Sequence, residues 1–334
     1  IEQVAEFGHC AEAQATVRAA DFQAELARLR STPCVDYPGV AQAKLRILRL
    51  LHAHFRRDES AQTSARAARF QAYCAERGES LRRHALHDAI DEQMRAVDGH
   101  RYWGWPMWPE ELREPTHAGV RAFEQAHAGL VEFHAWLQWL ADEQLGEAQA
   151  LGRQLGMPIG LYGDYAVGVN PSGSETWSDQ ALYRKGAGVG APPDALALKG
   201  QDWGIPPQDP NVLMAEQYRP FRNLVSANMR HFGALRLDHV MALFRQWWVP
   251  VGLGATDGGY VHYPLDDLMS VLALESERHS CLVVGEDLGT VPPEMSHAMD
   301  ERSVYSYRVL LFEKHADGRF KRTSEYPRRA IATV

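Results

Sequence analysis

The chain has 334 residues, of which 45% are hydrophobic and 23% charged. That is ordinary globular composition and excludes a disordered, collagen-like or coiled-coil chain. Lys+Arg 35 against Asp+Glu 43 gives a net charge of −8, which argues against a nucleic-acid or anionic-membrane partner.

At about 150 residues per domain, the length fits two domains or one decorated barrel. Four cysteines (Cys10, Cys34, Cys74 and Cys281) show no CxxC or metal spacing and read as free thiols of a reducing compartment, the cytoplasm. No leader pattern opens the chain, and no stretch approaches the ~18 uninterrupted apolar residues of a membrane span. The sequence starts at Ile1, and residues 330–334 read as the opening of a strand, so a piece of a longer chain is one expectation.

In chain order, the first third is rich in Ala, Arg, Glu and Gln and predicts several helices. Leu45, Leu48, Leu51 and Phe55 fall at helical spacing, as do Phe70 and Cys74. His84 and His87 lie on such a helix and are expected on a solvated face. The segment Arg101-Tyr102-Trp103-Gly104-Trp105-Pro106-Met107-Trp108-Pro109 is too broken for a regular element. It reads as a packed aromatic loop, or as a platform near a carbohydrate site.

A long helix is predicted over about 119–155, ended by Gly156 with Pro158 just beyond. Residues 158–162 then read as a buried strand leading to Gly163-Asp164. The stretch 170–210 is rich in Pro and Gly and reads as one long functional loop, with Trp177, Tyr183 and Trp203 arguing against disorder. Helices over about 211–231 and 265–278 each precede an apolar run: Leu235-Arg236-Leu237-Asp238-His239-Val240, and Leu282-Val283-Val284-Gly285-Glu286-Asp287. A last apolar run covers 304–312. Repeated helix, strand and polar loop predict a parallel β/α architecture with its site at the carboxyl ends of the strands.

Period-two alternation puts Arg236 and Asp238 on one face of their strand. An Arg and an Asp pointing inward are costly unless paired or used. The guanidinium is expected to keep Asp238 ionised, as a nucleophile requires; a purely structural ion pair is the alternative. Glu286 follows apolar and small residues, so burial is expected to raise its pKa and keep a proton on it. A protonated Glu beside an ionised Asp is the pairing that glycosidases use; a Glu that caps or pairs locally is the alternative. Asp287 faces the other way in an extended strand and ranks lower. Asp164 is a third strand-end carboxylate for sugar hydroxyls or a loop hydrogen bond. His239 offers a hydrogen-bond donor, and Trp203 a flat face for a pyranose or for core packing. There is no GxxxxGK[ST], HExxH or GxSxG, and no cofactor is needed for acid/base chemistry of this kind.

Five segments together resemble the 4-alpha-glucanotransferases (amylomaltases, glycoside hydrolase family 77). They are Pro158-Ile159-Gly160-Leu161-Tyr162-Gly163-Asp164, Gly188-Val189-Gly190-Ala191-Pro192-Pro193-Asp194, Gly200-Gln201-Asp202-Trp203-Gly204, Leu235-Arg236-Leu237-Asp238-His239-Val240 and Val284-Gly285-Glu286-Asp287-Leu288-Gly289-Thr290-Val291-Pro292. The resemblance covers about residue 100 to the end, and less distinctively the helical first third.

The resemblance implies a (β/α)8 TIM barrel, incomplete in this chain. It has a helical subdomain (1–117) inserted in the barrel and a partial catalytic barrel (118–334). It implies a retaining transfer of α-1,4-glucan segments between maltooligosaccharides, with a maltooligosaccharide or starch-type glucan as donor and acceptor. Asp238 would be the nucleophile and Glu286 the general acid/base. Arg236 and His239 would flank the nucleophile, Trp203 would lie on the mobile acceptor loop, and Asp164 would end the third barrel strand. Family members often carry Arg before that Asp; Gly163 here puts a salt bridge from that position in doubt. The family's third catalytic carboxylate, in a His-Asp pair, has no counterpart here, because His87-Asp88 lies in a helical segment. The sequence is therefore expected to be an internal fragment, or the ordered part of a longer chain. An α-glucan hydrolase and an inactive glucan-binding barrel fragment are the alternative readings.

Overall fold

The computed structural model describes residues 1–57, 64–194 and 197–334. Residues 58–63 of the helical first third and 195–196 of the Pro/Gly-rich stretch therefore lie outside the described residues. The chain divides into two compact units, Ile1–Glu143 and Gln144–Val334.

The first unit is helical: Ala11–Arg18, Ala20–Ser31, Tyr37–Arg57, Ala65–Asp98 with a break at Gly78, Glu110–Arg113, Ala118–Ala126 and the start of Ala128–Gln154. The expected helix over 119–155 is thus two helices, parted where His127 leaves helical geometry. The expected division at 117 falls before this pair. The compact unit extends to Glu143 because Phe133, Trp136, Trp139 and Leu140 pack into the same core as Ile47, Leu51, Phe55 and Phe70. The buried stripe of Tyr37–Arg57 runs Ala43, Ile47, Leu51, Phe55, with Leu45 and Leu48 at its flanks. Burying such a stripe, with each large side chain worth about 1.5–3 kcal/mol, holds a helix that propensity alone leaves marginal.

One expectation changes in this unit, and one open choice narrows. His87 is buried rather than solvated: its Nδ1 lies 3.0 Å from Asp88 and its ring 5.2 Å from that of Trp108. In the Trp-rich segment, Trp105 and Trp108 are buried and only Trp103 is exposed, so most of it is packing.

The second unit carries a five-stranded parallel sheet and a four-stranded antiparallel sheet. The strands are β1 (Tyr162–Tyr165), β2 (Ala187–Ala191), β3 (Gln201–Ile205), β4 (Ala234–Leu237), β5 (Arg245–Pro250), β6 (Gly259–His262), β7 (Leu282–Gly285), β8 (Tyr305–Val309) and β9 (Ala330–Thr333). The parallel sheet runs β1-β4-β7-β8-β9. Each parallel strand joins on the same side as the one before it. A doubly wound sheet would reverse its order, so this is the winding of a β/α barrel. Among the described residues β1 and β9 are its edges, so the barrel is not closed.

The covering helices Arg219–Met229, Leu265–His279 and Pro293–Glu301 follow β1, β4 and β7 in the winding. Phe221, Val225 and Met229, four residues apart, face the sheet with Leu268, Met269, Leu272, Met295 and Met299. The first strand starts later than expected, at Tyr162, which places Asp164 inside β1.

The stretch expected as one loop, 170–210, instead carries regular elements among its described residues. It supplies the short helix Ser174–Ser178 and strands β2 and β3, which join β5 and β6 in the order β3-β2-β5-β6. Glycine makes this possible: a Cβ at Gly190 would collide with the Gln201 carbonyl across the β2–β3 pairing. Gly190→Ala should therefore cost about 1–3 kcal/mol of stability. Gly186→Ala, whose Cβ meets nothing, should leave the urea midpoint near wild type. Equal midpoints for the two variants would refute the close-approach argument.

Candidate functional site

The cluster forms where β1, β4 and β7 end. Pairing aligns Asp164 with Arg236, and Arg236 with Val284. Two residues on, Asp238 and Glu286 follow the last residues of β4 and β7. Leu235 and Leu237 are buried on the opposite side of β4, so alternation leaves Arg236 and Asp238 on the sheet's other face.

Arg236 bridges two carboxylates: Nη1 lies 2.8 Å from Asp164 and Nη2 2.7 Å from Asp238. Burial alone would lower the guanidinium's pKa, but Asp164 and Asp238 hold it up. Asp164 thus takes its partner from β4, across the sheet, and not from the preceding position. A Cβ at Gly163 would press on Phe232 and Leu235. The ring of Tyr307, on β8, lies with its centre 5.4 Å from the Arg236 guanidinium.

The chain turns sharply after Asp238. His239 adopts left-handed backbone, φ 50 and ψ 63, at a cost of about 1–2 kcal/mol for a residue with a Cβ. Hydrogen bonds hold that turn. Asp238 N donates to Tyr165 O at 3.0 Å, and Val240 N to Glu286 O at 3.0 Å. Glu286 N donates to Leu237 O at 2.9 Å, and His239 N to Glu286 Oε2 at 2.9 Å.

The other Glu286 oxygen, Oε1, accepts from Leu288 N at 2.7 Å. Burial pushes the Glu286 carboxyl up from its ordinary value. The Leu288 and His239 N–H groups oppose this, and the negative charge of Asp238 adds to it. Burial likewise lowers the His239 imidazole, against the pull of Asp238, so His239 is neutral at neutral pH. The ring of Trp203 stands edge-to-face with that of His239, centroids 5.2 Å apart at 83°.

All six residues singled out in sequence therefore belong to one connected cluster: Asp164–Arg236–Asp238, then His239 with Glu286 and Trp203. Asp287 turns away from it. It is buried and accepts from Tyr307 N at 2.8 Å and Arg308 Nη2 at 3.1 Å. Tyr307 was not singled out, because it meets Arg236 only across strands, a contact no local pattern encodes. Among the described residues, no group of three or more His, Cys, Asp and Glu side chains is placed to hold a metal ion. A cavity of about 250 Å³ is lined by Asp164 with Tyr165, Val189, Leu213, Phe221 and Tyr263 among others, and does not include Asp238 or Glu286.

A singly wound parallel sheet with its charged groups at the carboxyl strand ends defines a β/α-barrel protein. More particularly, the chain belongs to glycoside hydrolase family 77: the family's sequence model, described as 4-alpha-glucanotransferase, matches residues 3–334. A 4-alpha-glucanotransferase of Haemophilus influenzae is 43% identical over 336 aligned residues, covering 100% of this chain and 48% of the relative. One from Mycobacterium tuberculosis is 45% identical over 64% of this chain and 29% of its own length. The crystal structure of amylomaltase from Corynebacterium glutamicum superposes with a TM-score of 0.74 at 34% identity, covering 88% of this chain and 38% of that one. Amylomaltase from Streptococcus agalactiae, solved in complex with acarbose, shares the fold with a TM-score of 0.75 at 18% identity, over 89% of this chain and 59% of that one. The chain thus spans about half the length, or less, of these curated relatives.

The charge balance around His239 is testable. Asp238→Asn removes the negative charge that favours imidazolium, so the His239 pKa should fall further below its wild-type value. An NMR titration of the imidazole checks this, and an upward shift would contradict the arrangement.

Proposed function

We propose that this chain carries the double-displacement chemistry of a retaining 4-alpha-glucanotransferase, moving α-1,4-glucan segments between maltooligosaccharides or starch-type glucans. The observation that supports this reading best is the pairing at adjacent strand ends: Asp238 ion-paired to Arg236, and Glu286 buried with its carboxyl pushed up. One group is suited to attack and the other to hold a proton, as retaining glycoside chemistry requires.

In the first step Glu286 gives its proton to the glycosidic oxygen while an Asp238 oxygen attacks C1. The C1–O4 bond breaks, a β-glucosyl ester forms and the shortened glucan leaves. In the second step the 4-OH of an acceptor glucan attacks C1 and returns its proton to Glu286. The ester bond breaks, and two inversions give net retention. Arg236 holds the Asp238 carboxylate in the attacking orientation. The two backbone donors on Glu286 fix its position, so both steps use the same carboxyl. His239, neutral, can donate to a sugar hydroxyl, and Asp164 can accept from one. Trp203 presents its ring on the acceptor side, where displacing water favours transfer over hydrolysis.

The helical part, residues 1–117, is read as an insert in the barrel. No described helix is long and apolar enough to cross a membrane. All four cysteines are free, which is in keeping with a reducing setting such as the cytoplasm. The similarity to curated 4-alpha-glucanotransferases supports transfer over hydrolysis as the outcome.

With α-maltosyl fluoride, whose leaving group needs no proton, Glu286→Gln should accumulate a covalent sugar ester visible by intact mass. Asp238→Asn should accumulate none; an adduct in that variant would remove Asp238 from the nucleophile's role. From maltotriose, the wild type should give glucose together with longer oligomers, whereas exclusively shorter products would mean a hydrolase.

A further inference from the structure

Asp287 has no part in the chemistry just described, yet it is as buried as Glu286. The ladder between β7 and β8 is short, pairing Val284 with Tyr305 and Gly285 with Ser306. Past that point the Asp287 carboxylate takes over. Its Oδ1 accepts the Tyr307 N–H at 2.8 Å and its Oδ2 faces Arg308 Nη2 at 3.1 Å. Neutralising Arg308 is not the distinctive role, because Arg308 also reaches Ser306 Oγ at 3.2 Å and Glu313 at 3.6 Å. Taking the Tyr307 N–H is distinctive, since this bond ties β8 to the end of β7 beyond their own pairing, while β9 pairs with its other edge from Ser306 to Val309. Tyr307 lies one step beyond Ser306, on the strand face that alternation gives to Tyr305. From there its ring covers the Arg236 guanidinium at 5.4 Å. Arg236 is thereby bounded by Asp164, Asp238 and an aromatic face.

We propose that Asp287 and Tyr307 act together as positioning residues for Arg236: Asp287 anchors Tyr307, and the Tyr307 ring holds the guanidinium so that it faces Asp238. The proposal rests on the reading of Asp238 as nucleophile only for its kinetic consequence. The packing of Arg236 stands independently of that reading.

The experiment compares Tyr307→Leu, Tyr307→Phe, Asp287→Ala and the Asp287→Ala/Tyr307→Leu double variant. The first readout is the Arg236 Nε–Hε NMR signal, assigned by its loss in Arg236→Lys. Tyr307→Leu and Asp287→Ala should both move it, through loss of the ring's field, and Tyr307→Phe should restore it. The second readout is transfer kinetics. Tyr307→Leu should lower kcat about tenfold with KM within about twofold, the scale of a lost cation–π contact. The double variant should be no worse than the poorer single one, because both changes act through one ring.

An unmoved Arg236 signal in Tyr307→Leu, or Tyr307→Phe as damaging as Tyr307→Leu, overturns the proposal. Should Asp287→Ala not fold, the two Tyr307 variants still decide it. A moved signal with an unmoved kcat supports the positioning of Arg236 and overturns the nucleophile reading of Asp238.

Discussion

The turn at Asp238–His239 is left-handed at a residue with a Cβ, and it persists because backbone groups of two neighbouring strands hold it. Tyr165 O accepts from Asp238 N, while Glu286 donates its N–H to Leu237 O and accepts from Val240 N at its carbonyl and from His239 N at its carboxylate. One residue thus ties the end of β4 to the end of β7 with both main chain and side chain. If the turn relaxed to ordinary extended backbone, His239 N–H would leave the Glu286 carboxylate. Asp238 would lose its fixed relation to both Arg236 and Glu286. The strain of about 1–2 kcal/mol is comparable to what one or two such hydrogen bonds return. This is the balance expected where backbone strain is stored at a functional site.

The charges around that joint are graded by exposure. Asp164 is two-thirds exposed, Asp238 about one-third and Arg236 about one-fifth. Ion pairs this open to water contribute little to global stability. Their effect is local: they orient Asp238 and leave Glu286 as the carboxyl whose charge is least welcome. Asp238 and Glu286 are thereby placed in different environments by solvent exposure and donor count.

Much of this was legible in the sequence. Alternation in Leu235-Arg236-Leu237-Asp238 put Arg236 and Asp238 on one face, and the apolar run before Glu286 forecast its desolvation. Both readings need only the two-residue period of a strand. The strands of 187–205 were hidden by glycine and proline, which usually mark loops but here allow backbones to approach closely, as at Gly190. Strands β5 and β6 lacked a clear signal beyond the β-forming residues Gln246-Trp247-Trp248-Val249 and Tyr260-Val261-His262. The burial of His87 was not legible either, since its partner Trp108 comes from a segment outside its own helix.

The sequence by itself determined which residues are candidates for the chemistry, that they sit at the ends of parallel strands, and which family the chain resembles. Such properties follow from local period and from motifs within a few residues. Only the tertiary structure decided that Asp164 is bridged by Arg236, that Tyr307 stacks on the same guanidinium, and that Asp287 anchors Tyr307. Each of these is a contact between strands, fixed by register and by the direction in which the sheet winds, and register is a property of the assembled sheet.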